Sequence, residues 1–192
     1  MNALEEALGA IARFLEERQI AYMVIGGIAN LIWGVPRATL DVDVTVLVEE
    51  SRWPGLIHDL NASFHVLPKQ PRAFLKETHV LPIETAAGGR INLLWAQLPY
   101  EYQAIARAHL EEIAGRRIRV CRAEDLVIHK IISERPKDRE DVQAIIRVQG
   151  PRLDQAYLIS AVRDMAKALT QPELLTFLKA CLRKTPTRRP KR

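Results

Sequence analysis

The chain has 192 residues, 48% of them hydrophobic, with 28 Lys and Arg against 23 Asp and Glu and a formal net charge of +5. This excludes disorder over most of the length and allows a core that needs no disulfide or metal staple. Six basic residues fall in Arg183–Arg192, leaving 22 basic against 23 acidic elsewhere, so a broadly basic nucleic-acid groove is excluded while a basic extension suited to a phosphate polymer is present.

Residues 3–18 predict an amphipathic helix, with Leu4, Leu8, Ile11, Phe14 and Leu15 at three- and four-residue spacing. Ile20–Ile25 predicts a short strand that ends in Gly26-Gly27, and Ile28–Trp33 a helix broken by Gly34-Val35-Pro36. Over Leu40–Val48 the chain alternates: Val42, Val44 and Val46 on one face, Asp41, Asp43, Thr45 and Leu47 on the other. Arg52–Leu60 predicts a helix, Phe64–Leu67 a strand and Arg72–Glu77 a helical turn. His79–Thr85 and Arg90–Trp95 form a hairpin around Ala86-Ala87-Gly88-Gly89. Tyr100–Leu110 reads as a helix, and Glu111–Ala114 with Arg117–Cys121 as a smaller hairpin. Beyond Arg122 the pattern is helical only: Ala123–Ser133, Lys137–Val148, Arg152–Leu169 and Pro172–Leu182. The expected organisation is a mixed α/β core over 1–121, a helical portion over 122–182 and a disordered basic tail over 183–192.

Cys121 and Cys181 lie far apart and form no metal-ligand spacing. The first residues carry neither the basic region nor the apolar run of an export signal. No apolar run approaches the ~18 residues of a membrane span. The expectation is a cytoplasmic enzyme or binding protein with no membrane partner. The five histidines are scattered, and Trp33, Trp53 and Trp95 are too dispersed to make a stacking platform; Trp33 and Trp95 are expected in the core.

The stretch with chemical content is Val24–Val44. A strand ends in two glycines, a helix begins, and a second strand bears Asp41 and Asp43. Aspartates at i and i+2 on a strand share a face and repel unless a cation or proton lies between them. Paired carboxylates suit Mg²⁺, which takes one or two of them together with waters and substrate phosphates. Gly26 and Gly27 let the backbone approach a triphosphate at a helix N-terminus. Arg37 and Thr39 are placed to contact phosphate oxygens. Each feature alone reads as a solvated edge or a plain turn; it is their combination that points to nucleotide chemistry.

The pattern Gly26-Gly27, Gly34, Arg37-x-Thr39-x-Asp41-Val42-Asp43 resembles the nucleotidyltransferase superfamily with the DNA polymerase-beta-like fold, and looks most like AbiEii-type toxin proteins. Glu124-Asp125-Leu126-x-x-x-Lys130 and Arg135-Pro136-Lys137-Asp138-x-x-Asp141 are similar to a helical pattern of the same group, so the likeness covers about residues 20–150. The resemblance implies a mixed sheet with flanking helices. It also implies transfer of a nucleoside monophosphate from an NTP, with Mg²⁺ or Mn²⁺ on Asp41 and Asp43, Gly26 and Gly27 cradling phosphates, and Arg37, Lys130 and Lys137 binding nucleotide. The implied acceptor is a hydroxyl of RNA or tRNA, in the setting of a toxin and its cognate antitoxin. On the residues alone, Lys137 with Asp141 also reads as a simple i,i+4 pair, Lys130 as a snorkelling surface lysine, and the basic tail as an end without a partner.

One position departs from the superfamily. A third carboxylate is expected on a later strand, and Arg90-Ile91-Asn92-Leu93-Leu94 carries Asn92 there. An amide oxygen can ligate but cannot act as base. Glu84 stands across the hairpin: a three-residue loop at 87–89 would set it opposite Asn92 on the same side, while a two- or four-residue loop would turn it away. Two other functions therefore stand beside RNA modification, a catalytically degraded nucleotide- or partner-binding protein and a transferase for a small, antibiotic-type alcohol.

Overall fold

The computed structural model describes residues 2–133 and 135–183. They divide into two units, one of residues up to Ile28 with Ala38–Cys121, the other of Ala29–Arg37 with the residues from Arg122 on.

In the first unit, α1 (Ala3–Glu17) opens with a capping box: Asn2 Oδ1 accepts from the Glu5 N–H at 2.8 Å, and Glu5 Oε2 accepts from the Asn2 N–H at 3.2 Å. Its apolar stripe (Ala7, Leu8, Ile11, Phe14 and Leu15) is buried. The strands are β1 (Ala21–Val24), β2 (Asp41–Leu47), β3 (His65–Val66), β4 (Val80–Glu84), β5 (Arg90–Trp95), β6 (His109–Ile113) and β7 (Arg116–Val120). They form one mixed sheet in the order β3-β4-β5-β2-β1-β7-β6. Helix α2 (Gly26–Trp33) follows β1, and the chain passes from the first unit to the second within it. Helices α3 (Trp53–Ser63), α4 (Pro71–Thr78) and α5 (Pro99–Arg107) complete the first unit.

The alternation in β2 is borne out. Val42, Val44 and Val46 are fully buried, and their parallel neighbours in β5 are Ile91, Leu93 and Trp95. The other face of the pair holds Asp41 beside Arg90 and Asp43 beside Asn92. Burying three β-branched side chains on one face fixes the register, because a one-residue slip would send both aspartates into the core.

Two local readings need correction. The fifth helix ends at Arg107 rather than Leu110, because His109 and Leu110 are taken up by β6, where they pair with Val120 and Arg119. The hairpin turn that follows is Ala114-Gly115, both at positive φ (49° and 74°), as a tight hairpin requires.

In the second unit, α6 (Ala123–Ile131), α7 (Pro136–Gln149), α8 (Gln155–Ala168) and α9 (Glu173–Arg183) pack around Leu126, Val142, Ile145, Leu158, Val162, Leu174 and Leu178. Pro136 starts α7, where a missing N–H does no harm. Glu124 accepts from the Asp154 N–H at 2.8 Å, and Asp125 from the Tyr157 hydroxyl at 2.7 Å, so both acidic residues brace α8. The Trp33 carbonyl accepts from Gln149 Nε2 at 2.8 Å. The basic tail from Lys184 on lies outside the described residues.

Candidate nucleotide-binding site

In the first unit the Ile25 N–H donates to the Asp43 carbonyl at 2.9 Å, bringing the end of β1 against β2. The chain then turns at Gly26, φ +64°, into α2. A Cβ at Gly26 would overlap Asp43 Oδ2 and lie 2.8 Å from Asp43 Cγ, so the Asp43 carboxylate rests directly on the glycine backbone. Beside it, a Cβ at Gly27 would overlap Thr39 Oγ1. Thr39 donates in turn to the Asp41 carbonyl at 3.3 Å. Gly26, Gly27, Thr39, Asp41 and Asp43 therefore form one cluster where a strand ends and a helix begins, with Thr39 and both aspartates half-buried.

Asn92, next to Asp43 in the sheet, donates from Nδ2 to Asp43 Oδ1 at 2.9 Å. Opposite Asn92 on β4 stands Pro82, not Glu84. Thr85 and Gly89 close the turn by hydrogen bonds, which sets the three-residue loop at 86–88. Glu84 thereby pairs with Arg90, on the same face as Asn92 but two pairs nearer the turn, with Arg90 Nε 4.0 Å from its carboxylate. Arg90 is the residue that sequence reasoning missed. Its signal was present: it precedes Asn92 by two, as Asp41 precedes Asp43.

The second unit gathers Arg37, Lys130, Asp138 and Asp141. Arg37 forks onto Asp141 with Nε at 3.2 Å and Nη2 at 2.9 Å. Lys130 Nζ lies 3.0 Å from Asp138 Oδ1 and 2.7 Å from Asp141 Oδ2, and is only 4% exposed. It is not a snorkelling surface lysine. Asp138 accepts also from Ser133 Oγ (2.7 Å) and Arg135 Nε (2.6 Å). Burial pushes the Asp138 carboxyl up, but the hydrogen bonds from Ser133 and Lys130, the Lys130 charge and the Arg135 bond outweigh it and hold it at about 2. For Asp141 burial again opposes, and Arg37 and Lys130 prevail, holding it below the usual carboxylate range. Lys137 is exposed, and the oxygens of Asp141 are held by Arg37 and Lys130. The cationic charge of Lys130 and Arg37 thus already faces carboxylates within this unit.

Among the described residues no group of three or more His, Cys, Asp or Glu gathers to hold a metal. Asp41 and Asp43 nevertheless fit Mg²⁺, which needs only one or two carboxylates when substrate phosphates and waters complete its shell. Their donor set is hard oxygen, half-exposed, and set against a glycine backbone that a phosphate can approach.

A strand, a glycine pair, a helix and an Asp-x-Asp strand packed on that glycine define a nucleotidyltransferase fold. The chain belongs to the family described as nucleotidyltransferase of unknown function (DUF6036), whose pattern matches residues 2–171. Among solved structures it is similar to an antigenic nucleotidyltransferase-like protein from Paracoccidioides brasiliensis, at 20% identity over 93% of each chain with a TM-score of 0.54. It is similar also to the antibiotic-resistance factor ANT(2'')-Ia, at 18% identity over 88% of this chain and 96% of that one, TM-score 0.55. A third is the lincosamide antibiotic adenylyltransferase LnuA with lincomycin bound, at 14% identity over 77% and 99%, TM-score 0.51. At such identities the likeness is one of fold. No curated protein matches the chain. No described helix is long and apolar enough to cross a membrane. These similarities reach the superfamily; the likeness to AbiEii-type toxins is a reading of the motifs.

Proposed function

We propose that the chain transfers a nucleoside monophosphate from an NTP to RNA, with the triphosphate seated over Gly26 and Gly27. The observation that carries this is the Asp43 carboxylate lodged against Gly26 where β1 turns into α2, with Asp41 two residues away on the same face. The first N–H groups of α2 have no partner within the helix and face an anion favourably. Thr39, over Gly27, would reach the same phosphates by turning its hydroxyl from the Asp41 carbonyl. Asp41 and Asp43 would hold Mg²⁺ or Mn²⁺, which when bound offsets the charge of the departing pyrophosphate. Asn92 keeps Asp43 oriented through its amide N–H. The RNA acceptor, like a cognate antitoxin, rests on the motif resemblance and on the basic C-terminal sequence.

A second reading, nucleotide binding without turnover, is favoured by one observation: Asn92 presents an amide donor to Asp43 where the superfamily places a carboxylate. Label transfer separates the two. Each α-³²P NTP is incubated with Mg²⁺ or Mn²⁺, total RNA and the protein, with Asp41→Ala/Asp43→Ala as control. A discrete labelled RNA, absent with the control, supports transfer. Saturable, metal-dependent NTP binding with no label moved to RNA, to small alcohols or to small phosphate esters supports the second reading.

A further inference from the structure

We infer that the acceptor group is a phosphate monoester, which attacks through an oxygen already ionised, and that Arg90 receives it; this rests on the nucleotide site proposed above and names its second substrate. The polar face of the sheet is laid out in rows. One row runs His65, Glu84, Arg90, Asp41, and the next Pro82, Asn92, Asp43. A hydroxyl acceptor would need a base within hydrogen-bond reach of its proton. The position beside Asp43 offers an amide whose N–H points at the carboxylate, and an amide takes no proton. Strands lie about 4.8 Å apart, so Glu84, two strands from Asp41, has its Cα roughly 10 Å away, and its carboxylate turns to Arg90. On the reading above, Asp41 and Asp43 would be taken up by the metal.

What the rows do offer is a cation. The Arg90 side chain is 69% exposed, stands next to Asp41, and is held only loosely, at 4.0 Å, by Glu84. A guanidinium there suits a phosphate, which it binds through two parallel hydrogen bonds. A phosphate monoester loses its second proton near pH 6, so at neutral pH its oxygen needs no base. In the step, that oxygen forms a bond to the α-phosphorus of the NTP. The bond from the α-phosphorus to the bridging oxygen breaks, and pyrophosphate leaves with the electron pair. No proton moves, and the product is a diphosphate-bridged nucleotide.

The test gives the full chain α-³²P NTP and Mg²⁺ with two matched pairs of acceptors. One is a single RNA oligonucleotide with a 5′-phosphate or a 5′-hydroxyl; the other is glycerol 3-phosphate or glycerol. The expected result is labelling of a phosphorylated member at least about 100-fold faster than its hydroxyl counterpart, with a rate flat between about pH 7 and 9. The pair that responds tells an RNA end from a small phosphate ester. Arg90→Gln should raise the KM for that acceptor about 10- to 100-fold with the Kd for Mg²⁺–NTP unchanged. Asn92→Asp should open transfer to the hydroxyl member, with a rate that rises with pH. Equal labelling of hydroxyl and phosphate members, or an unchanged KM in Arg90→Gln, overturns the inference. So does failure to label either phosphorylated acceptor while Mg²⁺–NTP binding is intact and abolished by Asp41→Ala; the nucleotide site then stands without it. Absence of Mg²⁺–NTP binding overturns both.

Discussion

Alanine at Gly26 should disable the nucleotide site and destabilise the fold, and three other glycines separate the reasons. Gly26 combines a positive φ of 64° with a Cβ position that overlaps Asp43. An L-residue in that backbone region costs roughly 1–2 kcal/mol, and forcing a methyl group against a packed neighbour adds roughly 1–3 kcal/mol. The Asp43 side chain gives way first, weakening its bond to Asn92, worth about 1 kcal/mol. The sum, roughly 3–6 kcal/mol, predicts a Tm lower by about 6–24 °C for a chain of this size. Gly88, φ +80° with nothing within 4 Å of a Cβ, isolates the backbone component: Gly88→Ala should cost only about 1–2 kcal/mol. Gly27, whose Cβ would overlap Thr39 at an ordinary φ, isolates the contact. Gly55, inside α3 with open space around it, should gain up to about 1 kcal/mol on change to Ala. Thermal unfolding of the four variants, with Mg²⁺–ATP titration by calorimetry, makes the comparison. A Gly26→Ala protein that melts like Gly88→Ala and binds nucleotide like the wild type would refute the reasoning.

Lys130→Met should be among the most damaging changes in the helical unit, costing about 3 kcal/mol in urea unfolding, because it removes the buried cation that two carboxylates share and leaves Asp141 to Arg37 and Asp138 to Ser133 and Arg135. Asp138 predicts an acid limb. Its carboxyl sits at about 2 in the folded chain, below its unfolded value, so its contribution is complete above about pH 4 and fades as pH falls from there toward 2. Unfolding curves across that window should show the slope in the wild type and a flatter profile, at lower overall stability, in Asp138→Asn. Asn92→Asp, without metal, should lower stability by about 1–2 kcal/mol by setting a like charge against Asp43, and Mg²⁺ should recover most of it; a loss indifferent to Mg²⁺ would argue against a metal on these residues.

The fold was legible where periodicity and punctuation agree. Alternating valines in β2 placed both aspartates on one face, and the Gly26-Gly27 break marked the turn into α2. What escaped depended on partners distant in sequence. Whether Leu110 continues a helix or joins a strand is decided by Arg119 across the hairpin, not by the residues before it. Lys130 sits in an apolar run, and only the carboxylates 8 and 11 residues further on show why a buried cation is tolerated there. For Glu84 the outcome turned on where the hairpin loop falls, a shift of one residue that composition around Ala86–Gly89 does not settle. Arg90 escaped because its importance lies in the strand beside it, and parallel neighbours such as Asp41 are 49 positions away in the chain.

Ala29–Arg37 groups with helices made far later in synthesis, and that has a consequence for the nascent chain. Arg37 and the carboxylate it grips are 104 positions apart, and the Trp33 carbonyl and Gln149 are 116 apart. At a ribosomal pace of about 5–20 residues per second, the segment leading into Asp41 waits on the order of 5–20 s for its permanent neighbours. Until Asp141 emerges, the residues that introduce the aspartate strand lack the anchor they keep in the finished protein. A chain released early, before α7, would carry both aspartates and both glycines yet leave Arg37 without its carboxylate.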